Sequence, residues 1–253
     1  MYRYNIQNII IGAERTGKTH FAKRFTDLVR EKTSKGVLFY NVGNPDDAEG
    51  YTEIELLDFE KTEKLIKDKD RRKAYRRNPQ LLFFRSGEKL YKINKVGEFI
   101  CAEGLVCMYP VFDLDLQRKF IEKLFMYGGG VQLILDDARP IFRHGVGKEF
   151  AQLFGRKFHA GFKNQNGRKG IDIHIMFHSF DEINDALFNY VTNFTIFKSN
   201  TEPQENDFKK SRELYCNLIE AFNYTRQADK YNYVQLFTRG FDKIISIKKT
   251  PIL

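Results

Sequence analysis

Short runs of consecutive apolar residues alternate along this chain with longer stretches whose apolar positions recur every three or four residues. The first pattern reads as strands buried on both faces, the second as amphipathic helices. Asn5–Ile11, Val37–Asn41, Val131–Leu135, Ile171–Phe177 and Phe194–Phe197 predict strands. Lys18–Glu31, Leu116–Phe125, Lys148 to about Phe162, Asp181–Tyr190 and about Asp207–Phe222 predict helices. Tyr233–Phe237 and Lys243–Ile247 predict two closing strands. Strands alternating with crossover helices call for an α/β fold with a mostly parallel sheet. Lys61 to about Lys73 carries a very polar helical pattern, and Leu81–Phe84 with Leu90–Asn94 predict a hairpin around Arg85-Ser86-Gly87-Glu88. The region from about Tyr51 to Met108 fits the alternation least. It is expected to elaborate a single domain spanning 1–253. The Phe-rich segments Leu81–Phe84 and Phe120–Phe125 are expected in the core.

Composition narrows the class. Of 253 residues, 42% are apolar and 30% charged, which excludes a disordered or membrane-embedded chain. No apolar run approaches the roughly 18 residues of a membrane span, and the start has no signal-peptide pattern. Three scattered cysteines, Cys101, Cys107 and Cys216, fit neither a disulfide framework nor structural zinc. They suit a reducing interior. The net charge of +9 favours a polyanionic partner, nucleic acid or an acidic membrane face.

The sharpest motif is Gly12-Ala13-Glu14-Arg15-Thr16-Gly17-Lys18-Thr19, between a predicted strand and a predicted helix. The pattern is GxxxxGK[ST] in its proper context, and it calls for ATP with Mg²⁺. Glycines let successive N–H groups curl around phosphate oxygens, and the helix N-terminus adds positive charge. Lys18 is placed for the β- and γ-phosphates, and the Thr19 hydroxyl for Mg²⁺. Arg15 inside the loop can also touch phosphate. The strand Gln132-Leu-Ile-Leu ends in Asp136 and Asp137, at the strand end where α/β sheets bind ligands. Asp136 is the candidate second Mg²⁺ holder, and Asp137 the group that polarises the attacking water.

The strand Ile171–Phe177 ends in His178 and Ser179, either of which can sense the γ-phosphate. Arg156, with Arg139 and Arg143 upstream, is the candidate arginine supplied across a subunit boundary. His144 and His159 read as ordinary surface residues. Lys67 to Arg77 holds seven basic and two acidic residues, among them Arg71, Arg72, Lys73, Arg76 and Arg77. It can track a phosphate backbone, or simply form a solvated helical face. Arg168 and Lys169, in a Gly/Asn-rich turn, form a second basic patch.

These features occur in the order phosphate loop, Leu133-Ile-Leu-Asp136-Asp137-Ala-Arg, arginine-bearing helix, Phe177-His178-Ser179, then Asp181 through Lys198. The pattern resembles the FtsK–HerA superfamily of P-loop ATPases. At this size it is most similar to viral genome-packaging ATPases, or to zonular occludens toxin-like assembly ATPases of filamentous phages. The resemblance implies a RecA-like, three-layer αβα fold, a ring-shaped homo-oligomer, DNA as a partner and a capsid or portal vertex nearby. It also implies a place in the infected cell's cytoplasm or on the virion, with no stable membrane insertion. Two departures stand out. The family usually has Glu where this chain has Asp137, and often Gln where it has His178 or Ser179. A small-molecule kinase with a lid at Arg71–Arg77, or an assembly protein that binds ATP with little turnover, are the alternatives.

Overall fold

A computed structural model of the chain describes residues 6–41, 45–77, 82–109, 113–142, 145–164, 167–208, 211–229, 231–238 and 244–251. Arg143 and His144 lie outside the described residues. In chain order the elements are β1 (Gln7–Ile11), α1 (Lys18–Thr33), β2 (Gly36–Tyr40), β3 (Thr52–Leu57), α2 (Phe59–Leu65), α3 (Lys69–Arg77), β4 (Phe83–Ser86), β5 (Lys89–Lys92), α4 (Val96–Glu103), β6 (Leu105–Met108), α5 (Leu114–Tyr127), β7 (Val131–Leu135), α6 (Arg139–Phe142), α7 (Lys148–Gly155), β8 (Ile171–Phe177), β9 (Asn193–Ile196), α8 (Arg212–Gln227), β10 (Asn232–Thr238) and β11 (Ile244–Pro251). The chain forms two compact units: Met1–Glu31 with Ile134–Gly147 and Asp172–Leu253, and Lys32–Leu133 with Lys148–Ile171. The result is an α/β fold with a large, mostly parallel mixed sheet.

In the first unit the strands run β11-β10-β9-β1-β8, beside the end of β7. β1 is parallel to both β8 and β9, with Ile11 opposite Phe177 and Ile196, so the three strands end at one level. β10 and β11 add antiparallel strands at the edge. All five residues of β1 and all seven of β8 are buried, as their apolar runs require. Asn8 and Thr195 exchange hydrogen bonds of 3.1 and 3.2 Å, which satisfies two polar groups inside the sheet. Helix α1 is fixed by aromatic contacts: Phe21 lies 5.0 Å from Tyr233 and 5.9 Å from Phe197, and Phe25 meets His174 at 5.2 Å.

The second unit orders its strands β2-β6-β3-β4-β5. β6 is parallel to β2 and β3, and the β4–β5 hairpin turns at Gly87. Leu82, Phe83, Phe84, Phe120 and Phe125 are buried, as expected. β3, β6 and α4 were not expected from the sequence. β3 interleaves Glu53 and Glu55 with its apolar residues, and β6 is only four residues long.

Several boundaries differ from the sequence reading. The polar helix over 61–73 is two helices, because Ile66 turns to an extended conformation (φ −77°, ψ 100°) and tucks its side chain into the cluster of Leu57, Tyr75 and Phe83. The helix expected to reach Phe162 ends at Gly155, followed by a short 3-10 turn over Lys157–His159. The helix expected over Asp181–Tyr190 is two 3-10 turns, Phe180–Glu182 and Asp185–Tyr190, parted where Asn184 caps the second by accepting from Ala186 N–H at 3.1 Å. α8 starts at Arg212, capped by the Ser211 hydroxyl, which accepts from Leu214 N–H.

A glycine-lined crossing closes the second unit's far segment. A Cβ on Gly129 would stand 2.0 Å from the Arg168 carbonyl oxygen, so only glycine admits this approach. Gly161 N–H donates to Phe125 O at 2.7 Å, Lys163 N–H to Met126 O at 2.9 Å and Gly170 N–H to Ala160 O at 2.7 Å. Gly161 and Lys163 are thereby pinned to the end of α5, and Gly170 to Ala160.

Candidate nucleotide site

The site lies in the first unit, at the level where β1 and β8 end. Leaving β1, Gly12 N–H donates to Phe177 O at 3.2 Å and Ala13 N–H to Lys198 O at 2.7 Å. A Cβ on Gly12 would meet Phe197 Cβ at 2.5 Å and Thr16 Oγ1 at 2.8 Å, so the glycine is required by packing as well as by any ligand. The loop then turns through Arg15 at φ +58° and Gly17 at φ +94°. Both are left-handed, which curls the backbone around a concave floor. The Thr16 hydroxyl closes the turn onto Ala13 O at 2.8 Å. Glu14 and Arg15 are exposed, and Thr19 is half-buried in the first turn of α1. The first N–H groups of a helix have no partner within it, so this turn aims donors at the floor.

Lys18 stands at the centre and is only 6% exposed. Its ammonium donates to Gly12 O, to Ala13 O at 2.9 Å and to His178 Nδ1 at 3.3 Å. Burial pushes its pKa down to about 8, and Asp136, Glu182, Glu14 and Asp137 pull the other way. An ammonium offers donors only, so in this contact His178 Nδ1 is the acceptor. The Nε2 of the same ring faces Asp137 Oδ1 at 3.8 Å. The structure therefore sets Lys18, His178 and Asp137 in one chain of contacts.

Asp136 is buried and Asp137 half-exposed, both following β7. Ala138 N–H donates to Met176 O at 2.9 Å, which fixes this turn against β8. Asp137 takes φ +43°, a left-handed conformation that Asp tolerates better than most residues. Thr19 and Asp136 are hard oxygen donors, the chemistry Mg²⁺ selects. Among the described residues no cluster of three or more His, Cys, Asp or Glu is built to hold a metal alone. A cation shared between two protein oxygens and nucleotide phosphates fits this donor set.

Of the two polar residues after β8, His178 reaches Lys18, whereas Ser179 is buried and bonded to Asp181. That bond, with the Thr201 hydroxyl donating to Asp181 at 2.8 Å, holds the Asp181 carboxyl below its ordinary range. Glu182 was missed by the sequence reading. Its carboxylate accepts from His178 N–H at 2.8 Å and pairs with Arg139 at 3.5 Å. No motif signals it, because a 3-10 turn rather than a helix brings it back to the strand end.

The remaining candidates belong to the second unit. Arg156 is exposed and lies just past α7, its N–H donating to Gln152 O at 3.0 Å. Arg71, Arg72, Lys73, Arg76 and Arg77 all fall in α3. Arg72 donates twice to Ile66 O, at 3.0 and 2.6 Å, and Arg76 pairs with Glu63. Tyr75 anchors the same helix, stacked on Phe59 at 5.0 Å. Lys73 and Arg77 are exposed, as are Arg168 and Lys169.

Strand β1, the left-handed loop, Lys18 at the start of α1 and the carboxylates after β7 define the fold of a P-loop NTPase. Three solved structures share that fold along the whole chain. The genome packaging NTPase B204 from Sulfolobus turreted icosahedral virus 2, in complex with AMP, matches with TM-score 0.58 and 13% identity over 100% of both chains. The same NTPase in complex with ATP-gammaS matches with TM-score 0.59 and 11% identity, again over 100% of both. B204, the DNA-packaging ATPase from Sulfolobus Turreted Icosahedral Virus, matches with TM-score 0.54 and 14% identity over 99% of this chain and 100% of that one. No family model and no curated protein matches the chain.

Proposed function

We propose that this chain is an ATP-driven, DNA-translocating motor of the viral genome-packaging kind, working as a ring of identical subunits at a capsid or portal vertex. The observation that carries the reading is the contact chain Lys18–His178–Asp137 at the mouth of a phosphate loop, on a fold shared with packaging NTPases.

The loop from Gly12 to Thr19 binds the triphosphate, and Lys18 exchanges its carbonyl partners for β- and γ-phosphate oxygens. Thr19 and Asp136 would hold Mg²⁺, which would supply positive charge against the charge developing on the transferred phosphoryl group. Asp137 orients the attacking water and accepts its proton. His178, between Lys18 and Asp137, registers whether the γ-phosphate is present. Ser179 acts through Asp181 rather than on phosphate. Arg156 completes the site from a neighbouring subunit, where an arginine contributes on the order of 10³-fold. The exposed Lys73 and Arg77 of α3, with the Arg168–Lys169 turn, supply cations to the DNA backbone. The kinase reading loses support because two of its lid arginines, Arg72 and Arg76, are engaged by Ile66 O and Glu63.

The test is a mixing experiment. Lys18→Ala and Arg156→Ala subunits are each inactive alone, and mixed rings contain some interfaces with both groups intact. DNA-stimulated ATP turnover is expected to reappear on mixing. A fully active Arg156→Ala protein, or no recovery from rings shown by mass to be mixed, refutes the shared site.

A further inference from the structure

The sequence from Phe150 to Ile171 contains Arg156, Lys157, Lys163, Arg168 and Lys169 and no Asp or Glu at all. Within this acid-free stretch two large aromatic side chains stand in solvent: Phe158, 47% exposed, and Phe162, 48% exposed. They are among the few large apolar side chains that the described residues leave exposed. Each has a cation over its ring, Lys157 Nζ at 5.4 Å from Phe158 and Lys163 Nζ at 5.8 Å from Phe162. Lys163, Arg168, Lys169 and Arg156 are themselves exposed.

Phe162 and its neighbours are held against the end of α5. Phe162 leans on the buried Phe125 at 5.7 Å, and the backbone bonds of Gly161, Lys163 and Gly170 hold both flanks. A ring fixed on one side and open on the other loses little entropy on stacking. Exposed rings interleaved with cations, in a stretch of sequence without an acid, have the chemistry of a surface for unpaired bases: cations follow the phosphates while base faces lie on the rings.

We infer that Phe158 and Phe162, with Lys163, Arg168 and Lys169, form a binding surface for single-stranded nucleic acid. Duplex DNA offers this surface only its phosphates, because its base faces are already stacked. The inference deepens the reading given above, since it rests on DNA as the partner and names the strand form and the residues. It is independent of ATP hydrolysis.

The experiment uses the full chain without nucleotide and reads fluorescence anisotropy with three probes: oligothymidylate, an abasic oligonucleotide of the same length, and a duplex. Oligothymidylate is expected to bind tightest. Phe158→Ala and Phe162→Ala each weaken it by about 5- to 150-fold, the range for one base stacked on one ring, and leave the abasic probe nearly unchanged. Phe158→Tyr and Phe162→Tyr keep the ring and retain binding, which separates lost stacking from misfolding. Lys163→Ala, Arg168→Ala and Lys169→Ala act on all three probes and reduce the salt slope by about 0.7 for each lost single-strand phosphate contact. Equal affinity for oligothymidylate and the abasic probe overturns the inference. So does an alanine pair that binds like the wild type while its assembly mass changes, which makes the surface a subunit contact. Lys18→Ala binds oligothymidylate as the wild type does, so failure of the ATPase reading shows up separately.

Discussion

Lys18→Met keeps a long unbranched side chain and removes the ammonium. In the folded chain Lys18 is 6% exposed, and burial brings its pKa from 10.5 to about 8. In the unfolded chain the same group keeps its proton to about pH 10.4. Between those values the unfolded state binds more protons than the folded state, so stability rises with pH across the window. Below about pH 8 both states are protonated and the charged lysine costs the folded chain about 3 kcal/mol. The methionine variant does not carry this term. Its loss of the Gly12 and Ala13 carbonyl bonds, about 1 kcal/mol each, is a constant offset. Urea unfolding of both proteins, followed by circular dichroism without nucleotide or Mg²⁺, isolates the pH-dependent part. From about pH 7.5 to about pH 10.5 the wild type is expected to gain about 3 kcal/mol on the variant. ATP turnover is lost in the variant throughout. Two stability profiles that run parallel across the window refute the argument, because Lys18 would then be no less protonated when folded.

Asp137→Asn is expected to lower kcat with little change in the KM for ATP, whereas Asp136→Asn raises the Mg²⁺ concentration needed for turnover. Equal loss of nucleotide affinity in both contradicts the division of roles. Glu182→Ala should lower kcat about tenfold or more by freeing His178, and Glu182→Gln should restore most of it, because an amide oxygen still accepts from His178 N–H. If Gln is as impaired as Ala, Glu182 acts through its charge on Lys18 and Arg139 instead.

The phosphate loop was legible because its chemistry is local: two glycines, a lysine and a hydroxyl within eight residues. The strands β1, β7 and β8 were equally plain, since burial on both faces leaves an unbroken apolar run. β3 escaped notice because Glu53 and Glu55 interrupt that signal. The end of α7 at Gly155 was hidden by helical spacing that continues past the glycine. At the site, His178 and Ser179 were indistinguishable in sequence, and the contacts differ because Ser179 turns to Asp181 while His178 turns to Lys18. Glu182 could not be read at all, since its role depends on a 3-10 turn that folds it back four residues. The charge run at Lys67–Arg77 overstated its free cations, because Arg72 and Arg76 are bound within the chain.

Asp137 also bears on how this chain can change over generations. Its backbone sits at φ +43°, where residues other than Gly, Asn and Asp carry a strain of about 1–2 kcal/mol. The substitutions that the backbone accepts most easily, Asn and Gly, are those that delete the carboxylate. Glu, which would keep it and restore the more usual residue of the pattern the chain resembles, meets the strain. Under the role proposed for Asp137, drift at this position runs downhill toward a well-folded protein that binds nucleotide and turns it over slowly. Keeping the carboxylate there requires selection for that proposed chemistry, against the backbone's own preference.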